Sequence, residues 1–208
     1  EAYKKSVALK PNDADTFYNM GVVLKDQGKF DEAVDVYKKC ISLKPNYAEV
    51  YNNLGVIFQA QGKFDKAIKI FNNAILFKSD YAVAYNNKGA LLQELGKFDE
   101  AMEALNKSIT LRPNYHDVYN NIGLTLQSKG KFDEAIKTYK KAISLKPDYA
   151  EAHQNLGLTL LNIGKLQEGL DEFEWRWKTS QFMSNKRRFI QPMWDGSQSL
   201  KDKRILLW

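Results

Sequence analysis

Apolar residues recur along this chain at helical spacing, and the whole pattern repeats every 34 residues. In one unit, Val50, Leu54 and Phe58 lie four residues apart, with Tyr51 beside the first, which places them on one face of an α-helix. A second amphipathic stretch follows each of these after a short turn. The pattern therefore predicts a chain built from repeated pairs of helices.

Three series of small residues share the same period. One glycine of each unit lies in the turn between the two helices, where its conformational freedom suits the left-handed end of a helix. A second glycine and an alanine let the paired helices pack closely. The series are Gly28, Gly62, Gly96, Gly130 and Gly164; Gly21, Gly55, Gly89, Gly123 and Gly157; and Ala33, Ala67, Ala101 and Ala135.

Charged residues and prolines predict where the helices begin and end. An aspartate after each of the first four turns, such as Asp31, favours the start of the second helix, because a carboxylate stabilises a helix N-terminus. The second helix is expected to end before a proline such as Pro45, which cannot continue a helix. We expect the Asn or Asp after each proline, such as Asn46, to cap the next helix.

Together these residues resemble the tetratricopeptide repeat family. The matching positions of one unit are Phe17, Gly21, Gly28, Ala33, Tyr37 and Pro45, with their equivalents in later units. The resemblance implies an all-α fold: a right-handed superhelical solenoid of helix-turn-helix repeats, in which each repeat packs only on its neighbours.

The period divides the chain into segments. We expect the second helix of a truncated repeat at 1–13, complete repeats at 14–47, 48–81, 82–115 and 116–149, and a degenerate capping repeat at 150–178. Residues 179–202 are expected to form an irregular linker, and the apolar run 203–208 the first strand of a missing domain. Because the chain starts without Met inside the pattern, we expect it to be part of a longer protein. The truncated first unit leaves an uncapped apolar face, from which we expect self-association.

The distribution of charge argues against a nucleic-acid partner. The formal net charge is +6, but residues 181–208 carry six basic and two acidic residues, which leaves +2 for the first 180 residues. A near-neutral array is a poor match for a phosphate backbone. No apolar run approaches the roughly 20 residues that span a bilayer, so we expect no membrane partner either.

The chain offers no candidate catalytic group. Cys40, His116 and His153 are too scattered for a zinc site, and the sequence contains no paired catalytic carboxylates, nucleophile motif or phosphate-binding loop. We therefore expect no cofactor, no metal and no enzyme activity in this chain. The single cysteine excludes an intramolecular disulfide and fits a reducing, cytoplasmic location.

The family resemblance places the first helix of each unit on a concave groove, where one asparagine recurs at the same position. Its amide can hold the N–H and C=O of an extended peptide, with roughly three peptide residues per repeat. Alternatively, these amides only bridge neighbouring repeats. The predicted peptide-binding residues are Asn19, Asn53, Asn87, Asn121 and Asn155. A secondary set comprises Tyr18, Asn52, Asn86, Asn120, Gln59, Gln93 and Gln127, of which the asparagines are expected to be exposed.

The C-terminal motifs carry a second resemblance. Glu-Trp-Arg-Trp at 174–177 and Trp-Asp-Gly at 194–196 are similar to the junction of bacterial proteins in which tetratricopeptide repeats precede a glycosyltransferase domain. The asparagine series resembles that of O-linked N-acetylglucosamine transferases. We expect Trp175, Trp177 and Trp194 to cover the last repeat. The resulting hypothesis is a protein-binding module that recruits substrate for a larger glycosyltransferase-like protein, and the alternative is a stand-alone scaffold for complex assembly.

Overall fold

The protein forms five consecutive pairs of α-helices in a computed structural model that describes residues 12–179. The helices are α1 (Ala14–Asp26), α2 (Phe30–Leu43), α3 (Ala48–Ala60), α4 (Phe64–Phe77), α5 (Ala82–Glu94), α6 (Phe98–Leu111), α7 (His116–Ser128), α8 (Phe132–Leu145), α9 (Ala150–Asn162) and α10 (Leu166–Phe173). A short 3-10 helix, Glu174–Lys178, follows α10. The described residues contain no strand, so the predicted all-α fold is confirmed for this part of the chain.

A left-handed glycine ends the first helix of every pair. The five turn glycines have φ between +70° and +81°, the conformation that costs a side-chain-bearing residue free energy. After α1, the Gly28 N–H donates to the Lys25 carbonyl and the Lys29 N–H donates to the Leu24 carbonyl, both at 2.9 Å. This is the Schellman arrangement, which satisfies carbonyls that a helix end leaves without partners.

The expected caps of the first helices are wrong. The helix N-cap is not the residue after proline, such as Asn46, but the tyrosine that follows it, such as Tyr47, and this tyrosine makes no side-chain cap bond. The reason is a turn in the loop, in which the Tyr47 N–H donates to the Lys44 carbonyl at 3.3 Å and delays the helix by one residue. Only α1 is capped by a side chain among the described helices: Asp13 accepts from the Asp15 N–H at 3.3 Å.

Within each of the first four pairs, a glycine of the first helix allows close packing of a large side chain from the second. A Cβ atom added at Gly55 would lie 2.5 Å from the Phe71 ring, and one at Gly123 would lie 2.4 Å from the Tyr139 ring. The alanine of the second helix, such as Ala67, is completely buried. The prediction that small residues permit close helix pairing is therefore confirmed.

The first and second helices occupy different sides of the stack. Successive first helices (α1, α3, α5, α7 and α9) contact one another, whereas successive second helices have no contact among the described residues. A stack that is tighter on one side must curve toward that side. The first helices therefore form the inner side of the curved array.

The last pair is modified and covered. Helix α10 has 8 residues, whereas the other second helices have 14, and the 3-10 helix after it packs on α9. There the Trp175 ring stacks on His153, with ring centroids 4.0 Å apart, as expected for one of the three covering tryptophans. Trp194, the predicted strand 203–208 and most of the truncated repeat 1–13 lie outside the described residues.

Candidate functional site

Three rows of side chains run across the first helices on the inner side of the array. Along each helix the rows are separated by four and then three residues, so they lie on one helix face. We call this surface the inner face. Its rows are Asp15, Glu49, Val83, Asp117 and Glu151; Asn19, Asn53, Asn87, Asn121 and Asn155; and Val22, Val56, Ala90, Leu124 and Leu158.

The asparagines of the middle row are joined to the preceding repeat by amide hydrogen bonds. Each bond runs from a side-chain Nδ2 of this row to the Oδ1 of an asparagine 35 residues earlier in the chain. The bonds are Asn87 to Asn52 at 3.0 Å, Asn121 to Asn86 at 2.9 Å and Asn155 to Asn120 at 2.9 Å. These contacts form a ladder of amides across three successive interfaces between repeats.

The ladder corrects the prediction for the second asparagines. Asn52, Asn86 and Asn120 are only 5%, 5% and 6% exposed, so the expectation that they are exposed is wrong. They are buried because the first helix of the next repeat covers them and supplies the amide N–H that their oxygens accept. A buried amide without such a partner would be costly.

Three of the predicted peptide-binding asparagines bridge neighbouring repeats and are also partly exposed on the inner face. The bonds show that Asn87, Asn121 and Asn155 bridge neighbouring repeats, as the structural alternative proposed. These three side chains are nevertheless only half-buried, and the Oδ1 atoms of Asn121 and Asn155 accept no hydrogen bond from any residue of 12–179. Contact of these amides with a peptide therefore stays a prediction.

The ladder ends at the first described pair. Tyr18 stands where the later repeats have the accepting asparagine, and its ring stacks on Tyr47 with centroids 5.1 Å apart. Asn53 consequently has no amide to bond in the preceding repeat, although it is only 9% exposed. Asn19 is exposed. The five predicted residues thus occupy equivalent positions but three different environments.

The three predicted glutamines also differ from one another. Gln59 donates to Glu94 at 2.9 Å and so links α3 to α5 across the inner face. Gln127 accepts from the buried Tyr139 hydroxyl at 2.9 Å, which turns its amide toward its own second helix. Gln93 is half-buried and makes no side-chain hydrogen bond with a described residue.

A row of tyrosines at the starts of the first helices is the feature that sequence reasoning missed. Burial, followed by the neighbouring carboxylate of Asp15, raises the pKa of the Tyr47 hydroxyl above its usual value. A loop cation three residues earlier lies over each ring, as Lys44 does over Tyr47 at 4.0 Å. The signal was present in the sequence as Lys or Arg followed three residues later by Tyr. The row is Tyr47, Tyr81, Tyr115 and Tyr149.

Family models decide the classification of this fold. Three models described as tetratricopeptide repeats match residues 23–62 and 126–164, residues 46–114, and residues 2–35 and 104–137. The matched ranges together run without a gap from residue 2 to residue 164. The chain belongs to the tetratricopeptide repeat family. A comparison with curated proteins gave no match.

Solved tetratricopeptide structures are similar over most of their length. The chain is 29% identical to MamA. The match spans 80% of this chain and 97% of MamA, with a TM-score of 0.63. It is 20% identical to YrrB, described as a tetratricopeptide protein with an unusual peptide-binding site, over 87% of this chain and 93% of YrrB, with a TM-score of 0.62. A tetratricopeptide protein from Thermus thermophilus, TTC0263, is 19% identical over 83% of this chain and 94% of its own, with a TM-score of 0.71.

Membership in the tetratricopeptide family bears on the function class. Tetratricopeptide repeats are interaction modules rather than catalysts, which agrees with the expectation that this chain is not itself an enzyme. Within residues 12–179, no group of three or more His, Cys, Asp or Glu side chains is placed to hold a metal ion. None of the helices in that range is both long and apolar enough to cross a bilayer.

Proposed function

We propose that this chain is a protein-interaction module that binds an extended polypeptide along its inner face. The observation that carries the proposal is that two ladder amides donate a hydrogen bond but accept none. Asn121 and Asn155 each donate one side-chain N–H to an asparagine of the preceding repeat. Both side chains are half-buried, and their Oδ1 atoms accept no hydrogen bond from a described residue. An acceptor fixed in this way is ready to receive a peptide N–H without further ordering.

The spacing of the ladder supports an extended ligand. Packed helices lie about 8–10 Å apart, and an extended chain rises about 3.3 Å per residue, so about three peptide residues would span one repeat. Such a ladder contacts the peptide backbone, which all sequences share. The proposal therefore predicts broad tolerance of ligand sequence. The peptide-binding site of YrrB is consistent with this use of the fold.

The test compares two variants that break the same two inter-repeat bonds from opposite sides. A binder is selected from a random dodecapeptide library, synthesised with a fluorescent label, and titrated by fluorescence anisotropy. We expect N121A/N155A to weaken binding roughly tenfold, because two net hydrogen bonds of about 0.5–1.5 kcal/mol each are lost. N86A/N120A breaks the same bonds but keeps both inner-face amides, so it should weaken binding clearly less, only through the lost fixation of those amides.

Equal losses in the two variants would show that the amides act only between repeats. The control N72A/N106A changes two exposed asparagines at equivalent positions of α4 and α6 on the outer side of the array. It should leave the affinity unchanged. Circular dichroism of all variants separates lost binding from lost helix.

We also propose a more specific role, in which the module recruits substrate for a larger glycosyltransferase-like protein. This proposal rests on the motifs at 174–177 and 194–196, and the matched family models describe tetratricopeptide repeats only. The coding sequence that follows residue 208 decides between it and the stand-alone scaffold, because a transferase requires alternating strands and helices there. Self-association through the first repeat and a cytoplasmic location likewise remain predictions, the former testable by sedimentation at high concentration.

A further inference from the structure

The part of the inner face formed by α7 and α9 has a chemistry that the rest of the face lacks. These two helices contain Asp117 and Glu151 but no lysine or arginine. The side chain of Asp117 is 38% exposed, and Glu151 is exposed. Two solvent-accessible carboxylates therefore stand in the same row of adjacent repeats, within a chain whose overall net charge is +6.

The hydroxyl of Tyr149 lies in the field of both carboxylates. Burial, then the charge of Asp117 and a hydrogen bond between this hydroxyl and the Asp117 carboxylate, and after them the charge of Glu151, raise the pKa of the hydroxyl above its usual value. The nearby loop cations, Arg112 and Lys146, lie over the rings of Tyr115 and Tyr149 at 4.8 Å and 5.1 Å. They form no ion pair with either carboxylate among the described residues, although His116 contacts Asp117 at 3.1 Å.

The other rows of this region add apolar surface and hydrogen-bond acceptors. Leu158 is 37% exposed, and Leu124 is half-buried. The unpartnered Oδ1 atoms of Asn121 and Asn155 lie one turn away from both rows. The region thus offers carboxylates, amide acceptors and apolar contacts side by side.

The preceding repeats do not share this combination. Glu49 is bound by Lys78 at 2.8 Å. Burial acts to raise the pKa of the Glu49 carboxyl, but the hydrogen bond from Lys78, a backbone N–H and the charges of Lys78 and Lys44 together lower it. Val83 takes the place of the carboxylate in the next repeat, and α5 contains Lys88. Asp15 of α1 is exposed, but its neighbour in the row is the Lys78-bound Glu49. Among the described helices, adjacent repeats therefore present two carboxylates of this row without a lysine or arginine partner only on α7 and α9.

We propose that the α7–α9 part of the inner face binds a basic polypeptide segment in extended conformation, with Lys or Arg at positions i and i+3 and an apolar residue between them. The inference rests on the proposed function and specifies its ligand. In polyproline II geometry, residues i and i+3 lie on one side of the chain about 9 Å apart, which matches the spacing of about 8–10 Å between packed helices. The two cations then face Asp117 and Glu151, while the apolar side chain contacts Leu124 and Leu158.

Three labelled dodecapeptides test the inference on the full 208-residue chain. They share a Gly-Ser background and differ only in their core: Lys-Leu-Ser-Lys, Glu-Leu-Ser-Glu or Ser-Leu-Ser-Ser. We expect the lysine peptide to bind at least roughly tenfold more tightly than the glutamate peptide at low salt, and the difference to shrink as added salt screens the charges.

Isosteric charge removal locates the site. D117N/E151Q should weaken binding of the lysine peptide roughly three- to tenfold, as expected for two partly exposed ion pairs. The matched control D65N/D133N removes two exposed carboxylates from the second helices α4 and α8, where neither forms an ion pair with a described residue, and should have no effect. A fourth peptide with its lysines two residues apart should bind more weakly than the i, i+3 peptide.

The outcomes separate this inference from the general function. Equal binding of the lysine and glutamate peptides, or equal effects of D117N/E151Q and D65N/D133N, would overturn the basic ligand. If the neutral peptide still binds and N121A/N155A weakens it, the peptide-binding function stands without that preference. If none of the peptides binds, both proposals fail.

Discussion

At the scale of single residues, two kinds of glycine serve the array for different reasons. The turn glycine Gly62 has a φ of +70°, and a Cβ atom added there would meet nothing within 4 Å. The helical glycine Gly55 has ordinary helical geometry, but an added Cβ would lie 2.5 Å from the Phe71 ring. The first residue is required by backbone conformation, and the second by the absence of space.

This difference predicts an order of stabilities for two alanine substitutions. Gly62→Ala should lower the free energy of unfolding by about 1–2 kcal/mol, the cost of a left-handed alanine. Gly55→Ala should cost more, about 3 kcal/mol, because the Phe71 ring is completely buried and has no space into which to move. Urea unfolding followed by circular dichroism measures both. If Gly62→Ala proves the more harmful, the packing argument is wrong.

Single residues also show where sequence reasoning reached its limit. The period identified both positions of the Asn52–Asn53 pair, but it could not show that the first position accepts a hydrogen bond from the second position of the next repeat. That choice depends on how far the next helix pair is rotated, and the bond from Asn87 to Asn52 spans 35 residues. Local propensity carries no information about such a rotation. The sequence therefore identified the recurring position, whose contact with a peptide stays a prediction, but assigned the burial of the second asparagines wrongly.

At the scale of secondary-structure elements, the last helix pair closes the described array by a different contact from the others. Gly157 packs against the backbone of α10, where an added Cβ would lie 2.6 Å from the Phe173 nitrogen. The 3-10 helix then turns back over α9. His153 links the parts, since one ring nitrogen contacts the Pro147 carbonyl at 2.9 Å and the other contacts Glu172, while Trp175 stacks on its face.

Removing the stacked ring should loosen this pair and leave the others intact. Trp175→Ala exposes His153, which is 7% exposed, and should increase amide hydrogen exchange in α9 and α10 by roughly tenfold or more. Exchange in α3 to α6 should stay unchanged, because each repeat packs on its neighbours alone. Leu166→Ala serves as the control, since that side chain is 64% exposed. Faster exchange throughout the array would contradict a local cover.

The helices themselves were predictable because local and tertiary requirements share one period. Turn glycines, buried alanines and apolar stripes all recur every 34 residues, so each signal supports the others. The helix caps were not predictable in this way. Asn46 has a good capping side chain, but the loop turn at Tyr47 leaves Asn46 outside the helix. Lys44 lies over the Tyr47 ring at 4.0 Å and stabilises that turn, a contact that capping preference alone does not include.

At the scale of the whole molecule, stability depends on coupling between neighbouring repeats. Each pair of helices contacts only the adjacent pairs, so the array behaves as a one-dimensional chain of units and interfaces. The amide ladder crosses three of these interfaces, whereas Tyr18 replaces the accepting amide at the interface between the first two described pairs. The hydrogen-bonded interfaces are expected to transmit unfolding cooperatively.

Breaking the ladder should therefore change the cooperativity of unfolding as well as its free energy. In N86A/N120A, two consecutive interfaces lose a bond that contributes about 1 kcal/mol each, so the unfolding free energy should fall by about 2 kcal/mol. Because the units then unfold more independently, the denaturant dependence should also become shallower. N72A/N106A, which changes two exposed asparagines outside the ladder, should alter neither quantity. A lower free energy with an unchanged slope would mean that the amides stabilise individual repeats but do not couple them, and cooperativity would then have to come from the apolar contacts between repeats.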